Sequence, residues 1–308
     1  MLKPMPSHNK HYAIAIYFIA SCLWLVASSC AHAAVRVQDD RGITHEWATP
    51  PARIVTLLPS FSETVCALNA CQRLVGVDRY ANHPEQVKAL PKVGGGLDPS
   101  IEAVVALKPD VVLMSTATKA AARLEALGIK VVALNTQQHA DVERLLAVTA
   151  RVLGLESQGT DVQPSGPVSQ RLWQELQAGV KAAAKSLPIT STKVYFEVSS
   201  APYAASASSF IGETLTLLGV TNVVPGHLGP FPKINPEMVV RADPDVIMLS
   251  ETNLVQLQQR PGWSQLRAVR SVAVCAFKPA EADILVRPGP RLAEGAQIMV
   301  RCLKDKLQ

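Results

Sequence analysis

Aromatic residues are scarce in this chain: Phe, Trp and Tyr together make up 5% of its 308 residues, and charged residues only 18%. No Lys/Arg cluster stands out and the formal charge is a modest +5. That excludes the dense basic footprint of a nucleic-acid binder. Signatures of catalysis are missing too. There is no Gly-x-Ser-x-Gly elbow, no His-Glu-x-x-His pair and no Gly-x-x-x-x-Gly-Lys-Ser/Thr phosphate loop. Gly94-Gly95-Gly96 lacks the strand-then-helix context of a dinucleotide fingerprint and reads as a loop at a cleft rim. His45, His83, His139 and His227 are dispersed, each reading as a surface or cap residue rather than a metal ligand. The sequence therefore assigns no catalytic and no metal-binding residue. No cofactor is expected, and the chain is not read as an enzyme.

What is present begins at the N-terminus. Lys3 and Lys10 precede an uncharged apolar stretch over about residues 12–27, and Ala31-His32-Ala33 follows with the small-x-small pattern of signal peptidase. Residues 1–33 are expected to be a signal peptide, and the mature protein to be a soluble periplasmic monomer. The apolar run is interrupted by Ser21 and Cys22 and is short for a membrane span. Ile19-Ala20-Ser21-Cys22 resembles a lipobox, but the apolar run continues beyond Cys22, which argues against a lipid anchor. Cys66, Cys71, Cys275 and Cys302 lie beyond the leader. In an oxidising compartment an even number permits disulfides. Cys66 and Cys71, five residues apart near a helix end, are the expected pair; Cys275 and Cys302 could pair or stay as buried thiols.

After an expected hairpin over residues 34–51, strands alternate with helices across residues 52–160 and again across 191–308. Such alternation implies mostly parallel sheets covered on both faces. Between the two stretches, residues 169–187 read as one helix within a connecting segment at 165–188. Leu172, Leu176 and Val180 recur every four residues there, and Pro188 ends it. The halves resemble each other. Ser62-Glu63-Thr64 finds a counterpart in Gly212-Glu213-Thr214, and Pro109-Asp110-Val111-Val112 in Pro244-Asp245-Val246-Ile247. The matched pieces keep their order. The expected fold class is α/β: two Rossmann-like lobes joined by one long rigid helix, with a ligand cleft between them.

Candidate site residues follow from that architecture. Ligands of open α/β sheets bind beyond the carboxyl ends of the strands. Tyr80, Tyr203 and Phe231 lie in segments next to predicted strands, so each is a candidate ligand contact, with core packing as the alternative. Arg287 and Arg291 flank Pro288-Gly289-Pro290 before the last helix. They could meet an anionic ligand group or a salt-bridge partner across the lobes. Glu63 reads two ways. Ser60-Phe61-Ser62-Glu63 has the spacing of a capping box, yet Glu63 and Glu213 stand at equivalent places in the two lobes. Two exposed, symmetric carboxylates could meet basic residues on a two-fold symmetric partner.

Several stretches together resemble a known family. They are Arg53-Ile54-Val55-Thr56-Leu57-Leu58-Pro59-Ser60 with Glu63, Leu74 onward to Tyr80 and Pro84, Leu90-Pro91-Lys92-Val93-Gly94, Leu107-Lys108-Pro109-Asp110-Val111-Val112, and Pro290-Arg291. Across roughly residues 50–305 the chain resembles the periplasmic binding proteins with a rigid helical backbone, which serve ABC importers of cobalamin, iron-siderophores and haem. The resemblance is strongest to cobalamin binders. It implies a corrinoid or other large metal chelate as ligand, held by Tyr80, Tyr203 and Phe231; Arg287 stays a candidate from its position alone. It also implies an inner-membrane ABC permease dimer as partner, docked through Glu63 and Glu213. Iron-siderophore or haem binding is the alternative within the family, and a metal-chelate enzyme the alternative outside it. The sequence departs from cobalamin binders in having no tryptophan near Gly94 or Ser115, and in placing Ile284 and Leu285 where aromatics are expected.

Overall fold

The computed structural model describes residues 34–156, 167–188, 191–200, 202–257 and 259–307. The expected signal peptide at 1–33, including Cys22, lies outside them.

The described residues open with a hairpin, β1 (Val35–Gln38) and β2 (Thr44–Trp47), paired antiparallel. It packs on the edge of the first lobe: Asp39 takes the Ala133 amide at 3.2 Å, and Arg41 reaches the Val131 carbonyl at 2.7 Å. The first lobe then runs β3 (Ile54–Thr56), α1 (Pro59–Ala67), β4 (Leu74–Val77), α2 (Ile101–Ala106), β5 (Val111–Ser115), α3 (Ala121–Ala126), β6 (Val131–Leu134) and α4 (His139–Val152). Its four strands are parallel in the order β4-β3-β5-β6. Every residue of β6, and four of the five in β5, is buried. The continuous apolar runs of the sequence follow from a sheet covered by helices on both faces.

α5 (Val168–Ala184) leads to the second lobe. There β7 (Lys193–Ser199) and β8 (Tyr203–Ala204) are followed by α6 (Phe210–Leu217), β9 (Thr221–Asn222), α7 (Pro236–Ala242) and β10 (Val246–Ser250). Then come α8 (Glu251–Leu257), α9 (Arg267–Arg270), β11 (Val274–Phe277), α10 (Pro279–Leu285) and α11 (Leu292–Lys306). The order β9-β7-β10-β11 repeats β4-β3-β5-β6, and β8 is an antiparallel addition to β7. α5 buries Trp173, Leu176, Val180 and Ala183 on one face, and lies close enough to α11 that a Cβ at Gly179 would meet the Ala293 side chain at 2.6 Å.

Two helix starts differ from the sequence reading. α1 begins at Pro59 with no side-chain cap, so Ser60 lies inside the helix and the capping box expected of Ser60 and Glu63 does not form. Proline's fixed φ favours the first helical position, which places the start ahead of Ser60. α2 is capped by Ser100, which accepts the Ala103 amide at 3.2 Å; Asp98, which an Asp98-Pro99 helix start would make the cap, is bound instead to Arg79 at 2.6 Å. Cys66 and Cys71 form one disulfide, with Cα atoms 4.2 Å apart, and Cys275 and Cys302 form a second at 6.0 Å, one in each lobe. Among the described residues no helix is long and apolar enough to cross a membrane.

Candidate ligand cleft

A cleft of about 470 Å³ opens between the lobes at the carboxyl ends of the strands. That is where open parallel sheets gather ligand-facing residues, because the loops there face outward from a rigid scaffold. The first lobe contributes Ser60 from α1, Tyr80 after β4, Ser115 at the end of β5 with Thr116 and Ala117 after it, and Asn135, Thr136 and Gln137 after β6. Leu58 and Pro59 complete that side. The second lobe contributes Val198, Phe210, Ile211 and Phe231, with Asp283, Val286, Arg287 and Pro288. One wall is thus hydroxyl and amide, the other apolar and aromatic. Phe210 and Phe231 meet edge to face at 5.9 Å.

Tyr80 is 64% exposed and its backbone is held from two directions. Its amide donates to Asp78 Oδ1 at 2.8 Å, and its carbonyl accepts from Arg287 Nη2 at 3.1 Å. Asp78 is buried and its Oδ2 has no partner; burial pushes its carboxyl above the usual range, and the Tyr80 amide partly offsets this. With its backbone fixed, Tyr80 lines the cleft, and the Arg79 guanidinium stands 5.9 Å from the centroid of its ring.

Arg287 was expected to offer a charge to the ligand or a salt bridge across the lobes. It lines the cleft, but both terminal nitrogens are engaged by the protein. Nη1 donates to Glu63 Oε1 at 2.9 Å and Asn82 Oδ1 at 2.7 Å; Nη2 donates to the Tyr80 carbonyl and pairs with Asp283 Oδ2 at 2.7 Å. Asn82 also donates to Asp283 at 2.8 Å.

Glu63 was expected to be an exposed carboxylate and is only 3% exposed. Burial pushes its carboxyl up, and Arg287 pulls it back. A surface charge cannot be read from it. Glu213 is different: its side chain is 35% exposed, and Oε2 accepts the His139 amide at 2.6 Å. His139 is a partly buried link between lobes rather than a surface residue. Its Nε2 lies 2.9 Å from Thr214 Oγ1, and burial pulls its imidazole below the usual value while Glu213 opposes the shift. Tyr203 stands in β8, 41% exposed, and is not among the residues lining the cleft. Side chains alternate along a strand, and pairing with β7 turns Ala204 inward and Tyr203 out.

The residues that sequence reading missed are Ser115, Thr116, Asn135, Thr136, Gln137, Asn82 and Asp283. Ser115 closes β5 and four others directly follow the ends of β5 and β6, so position alone could have flagged these five. Asn82 and Asp283 carry no such signal, since they meet only through the fold.

Comparison with known proteins places this geometry. A family model described as periplasmic binding protein matches residues 54–280. The chain is 29% identical to the uncharacterized ABC transporter substrate-binding lipoprotein YvrC of Bacillus subtilis (strain 168), over 80% of this chain and 78% of that one. It is 25% identical to the vitamin B12-binding protein of Vibrio vulnificus (strain CMCP6), over 79% of this chain and 87% of that one. The periplasmic heme-binding protein RhuT from Roseiflexus sp. RS-1, in apo form, shares the fold with a TM-score of 0.68 at 22% identity, over 83% of this chain and 99% of that one.

Proposed function

Since the chain belongs to the periplasmic binding protein family, we propose that it captures a corrinoid of the cobalamin type in the interlobe cleft and delivers it to an ABC permease in the inner membrane. The observation that carries the ligand is electrostatic. Among the described residues lining the cleft, the charged side chains are Asp283 and Arg287, and these are paired with each other. The remaining polar lining is hydroxyl and carboxamide. Haem carboxylates or an anionic ferric siderophore would call for a free cation, because a buried charge without a partner is costly. A corrinoid presents a broad apolar macrocycle fringed with neutral carboxamides. The Phe210–Phe231 wall suits the macrocycle and the Ser115–Gln137 side suits the amides. The relative named as a vitamin B12-binding protein supports the same reading.

In this reading the protein is a periplasmic monomer that binds and releases its ligand unchanged. Of the two carboxylates expected to meet the permease, only Glu213 keeps the exposure that such a contact needs. The test is calorimetric titration of the exported protein with cyanocobalamin, hemin and ferrichrome, followed by mass spectrometry of the recovered ligand. Cyanocobalamin is expected to bind at micromolar affinity or tighter and to return intact. Saturable binding of hemin or ferrichrome with none of cyanocobalamin would overturn the corrinoid reading. A chemically altered ligand would point to a metal-chelate enzyme.

A further inference from the structure

The two helices whose first turns form part of the cleft floor are built alike one turn deeper. Ser60 in α1 and Phe210 in α6 line the cleft. Three residues on stand Glu63 and Glu213, and then Thr64 and Thr214, whose hydroxyls donate to the Ser60 and Phe210 carbonyls, each at 2.7 Å. Each glutamate accepts a hydrogen bond from the opposite lobe. Glu63 takes Arg287 Nη1 of the second lobe at 2.9 Å, and Glu213 takes the His139 amide of the first at 2.6 Å. Both donors precede or open the last helix of their lobe: His139 is the first residue of α4, and Arg287 lies between α10 and α11. Beside each contact a second bond crosses the lobes, Arg287 Nη2 to the Tyr80 carbonyl at 3.1 Å and the Phe210 amide to the Gln137 carbonyl at 2.7 Å.

We propose that Glu63 and Glu213 are positioning residues for ligand capture. They form a reciprocal pair of clasps, one from each lobe, that sets the width of the cleft before the ligand arrives. The importance of that width for binding rests on the function proposed above; the clasps themselves do not. Charge-assisted hydrogen bonds are the strong ones, and both sit directly beneath cleft-lining residues. Loss of either lets a cleft wall move relative to the other. Tyr80 and Gln137 move with the clasps, because they share the same crossing bonds. The connecting helix α5 joins the lobes only once, so it does not by itself define their spacing.

The experiment measures the interlobe distance by pulsed electron paramagnetic resonance. Ketone-reactive spin labels are placed on p-acetylphenylalanine at the exposed positions 122 in α3 and 255 in α8. The unsubstituted protein should give one narrow distance distribution, the same with and without saturating cyanocobalamin. The Glu63→Ala/Glu213→Ala variant should give a broad distribution displaced to longer distance, and bind the probe at least tenfold more weakly. Glu213→Gln should keep the narrow distribution, since its amide oxygen can still accept from His139. A purely stabilising role would lower the melting temperature and leave the distances alone. A folded double variant with the narrow distribution overturns the clasps, as does a broad distribution in the unsubstituted protein. Should the double variant not fold, Glu213→Ala carries the same test, because its half-exposed side chain can be removed with less damage. Narrow distances together with no binding of cyanocobalamin would sink the corrinoid ligand and leave the clasps standing.

Discussion

The two lobes share a strand order and part company at the cleft. β4-β3-β5-β6 and β9-β7-β10-β11 are the same arrangement, yet the first lobe faces the ligand with hydroxyls and amides and the second with Phe210, Ile211 and Phe231. The divergence reaches into matching helices. In α1, Ser62 bonds the Thr56 hydroxyl at 2.6 Å; in α6 the corresponding Gly212 packs so tightly on the Ser206 carbonyl that a Cβ would stand 1.9 Å from it. Glu63 closes on a buried guanidinium and Glu213 on a backbone amide at a half-exposed edge. A parallel sheet needs its buried runs and tolerates little change. The loops at strand ends carry little of the core and are free to specialise.

The comparison breaks most sharply at the two clasps. Arg287→Ala should cost about 3–5 kcal/mol in denaturant unfolding, because it strands the buried Glu63 carboxylate without its partner. Glu213→Ala should cost about 1 kcal/mol, since water can reach the amide left behind. Equal costs for the two would mean that burial does not distinguish the clasps.

A middle-sized effect separates the aromatic residues. Tyr80→Ala and Phe231→Ala should each weaken cyanocobalamin binding about tenfold, the ~1.4 kcal/mol that follows from losing part of an aromatic face at ~25 cal/mol per Å². Tyr203→Ala should leave affinity unchanged within error. Calorimetry on the three variants decides it, and a loss confined to Tyr203→Ala would move the site to the β8 edge.

The smallest effect is pH-dependent and is read at the His139 clasp. Burial holds the His139 imidazole below its unfolded value. The folded chain therefore binds fewer protons than the unfolded chain in the window between the two values. Stability rises with pH across that window and is lost as pH falls below about 6.5. Melting temperatures from pH 7.5 to 5 should show a decline that His139→Gln flattens. A decline unchanged in that variant would assign the pH dependence to other groups.

Much of the fold was legible in particular residues. The apolar runs at 54–58, 111–114, 131–134 and 246–249 could only be buried parallel strands, and the Leu172-Leu176-Val180 stripe could only be a helix packed on one side. The repeated Glu-Thr pairs pointed to equivalent positions, and those positions are equivalent. The short helices Glu251–Leu257, Arg267–Arg270 and Pro279–Leu285 went unread, because elements of four to seven residues carry too few turns for a period to show. Tyr80 and Phe231 could be placed at the cleft because each follows a strand or its loop. Tyr203 could not be oriented, because a slip of one residue in a strand turns a side chain to the opposite face.

Composition, apolar periodicity and internal repetition, all local along the chain, were enough to determine two α/β lobes, a connecting helix and the absence of a catalytic or zinc motif. The partners of charged residues were decided only in three dimensions. Glu63 and Arg287 lie 224 residues apart, and nothing near either one distinguishes a docking carboxylate from a buried clasp, or a ligand-binding guanidinium from one already engaged. Whether a charge is free depends on what the fold brings within about 3 Å of it. That distance is set by the packing of two lobes against each other, a relation that sequence spacing does not record.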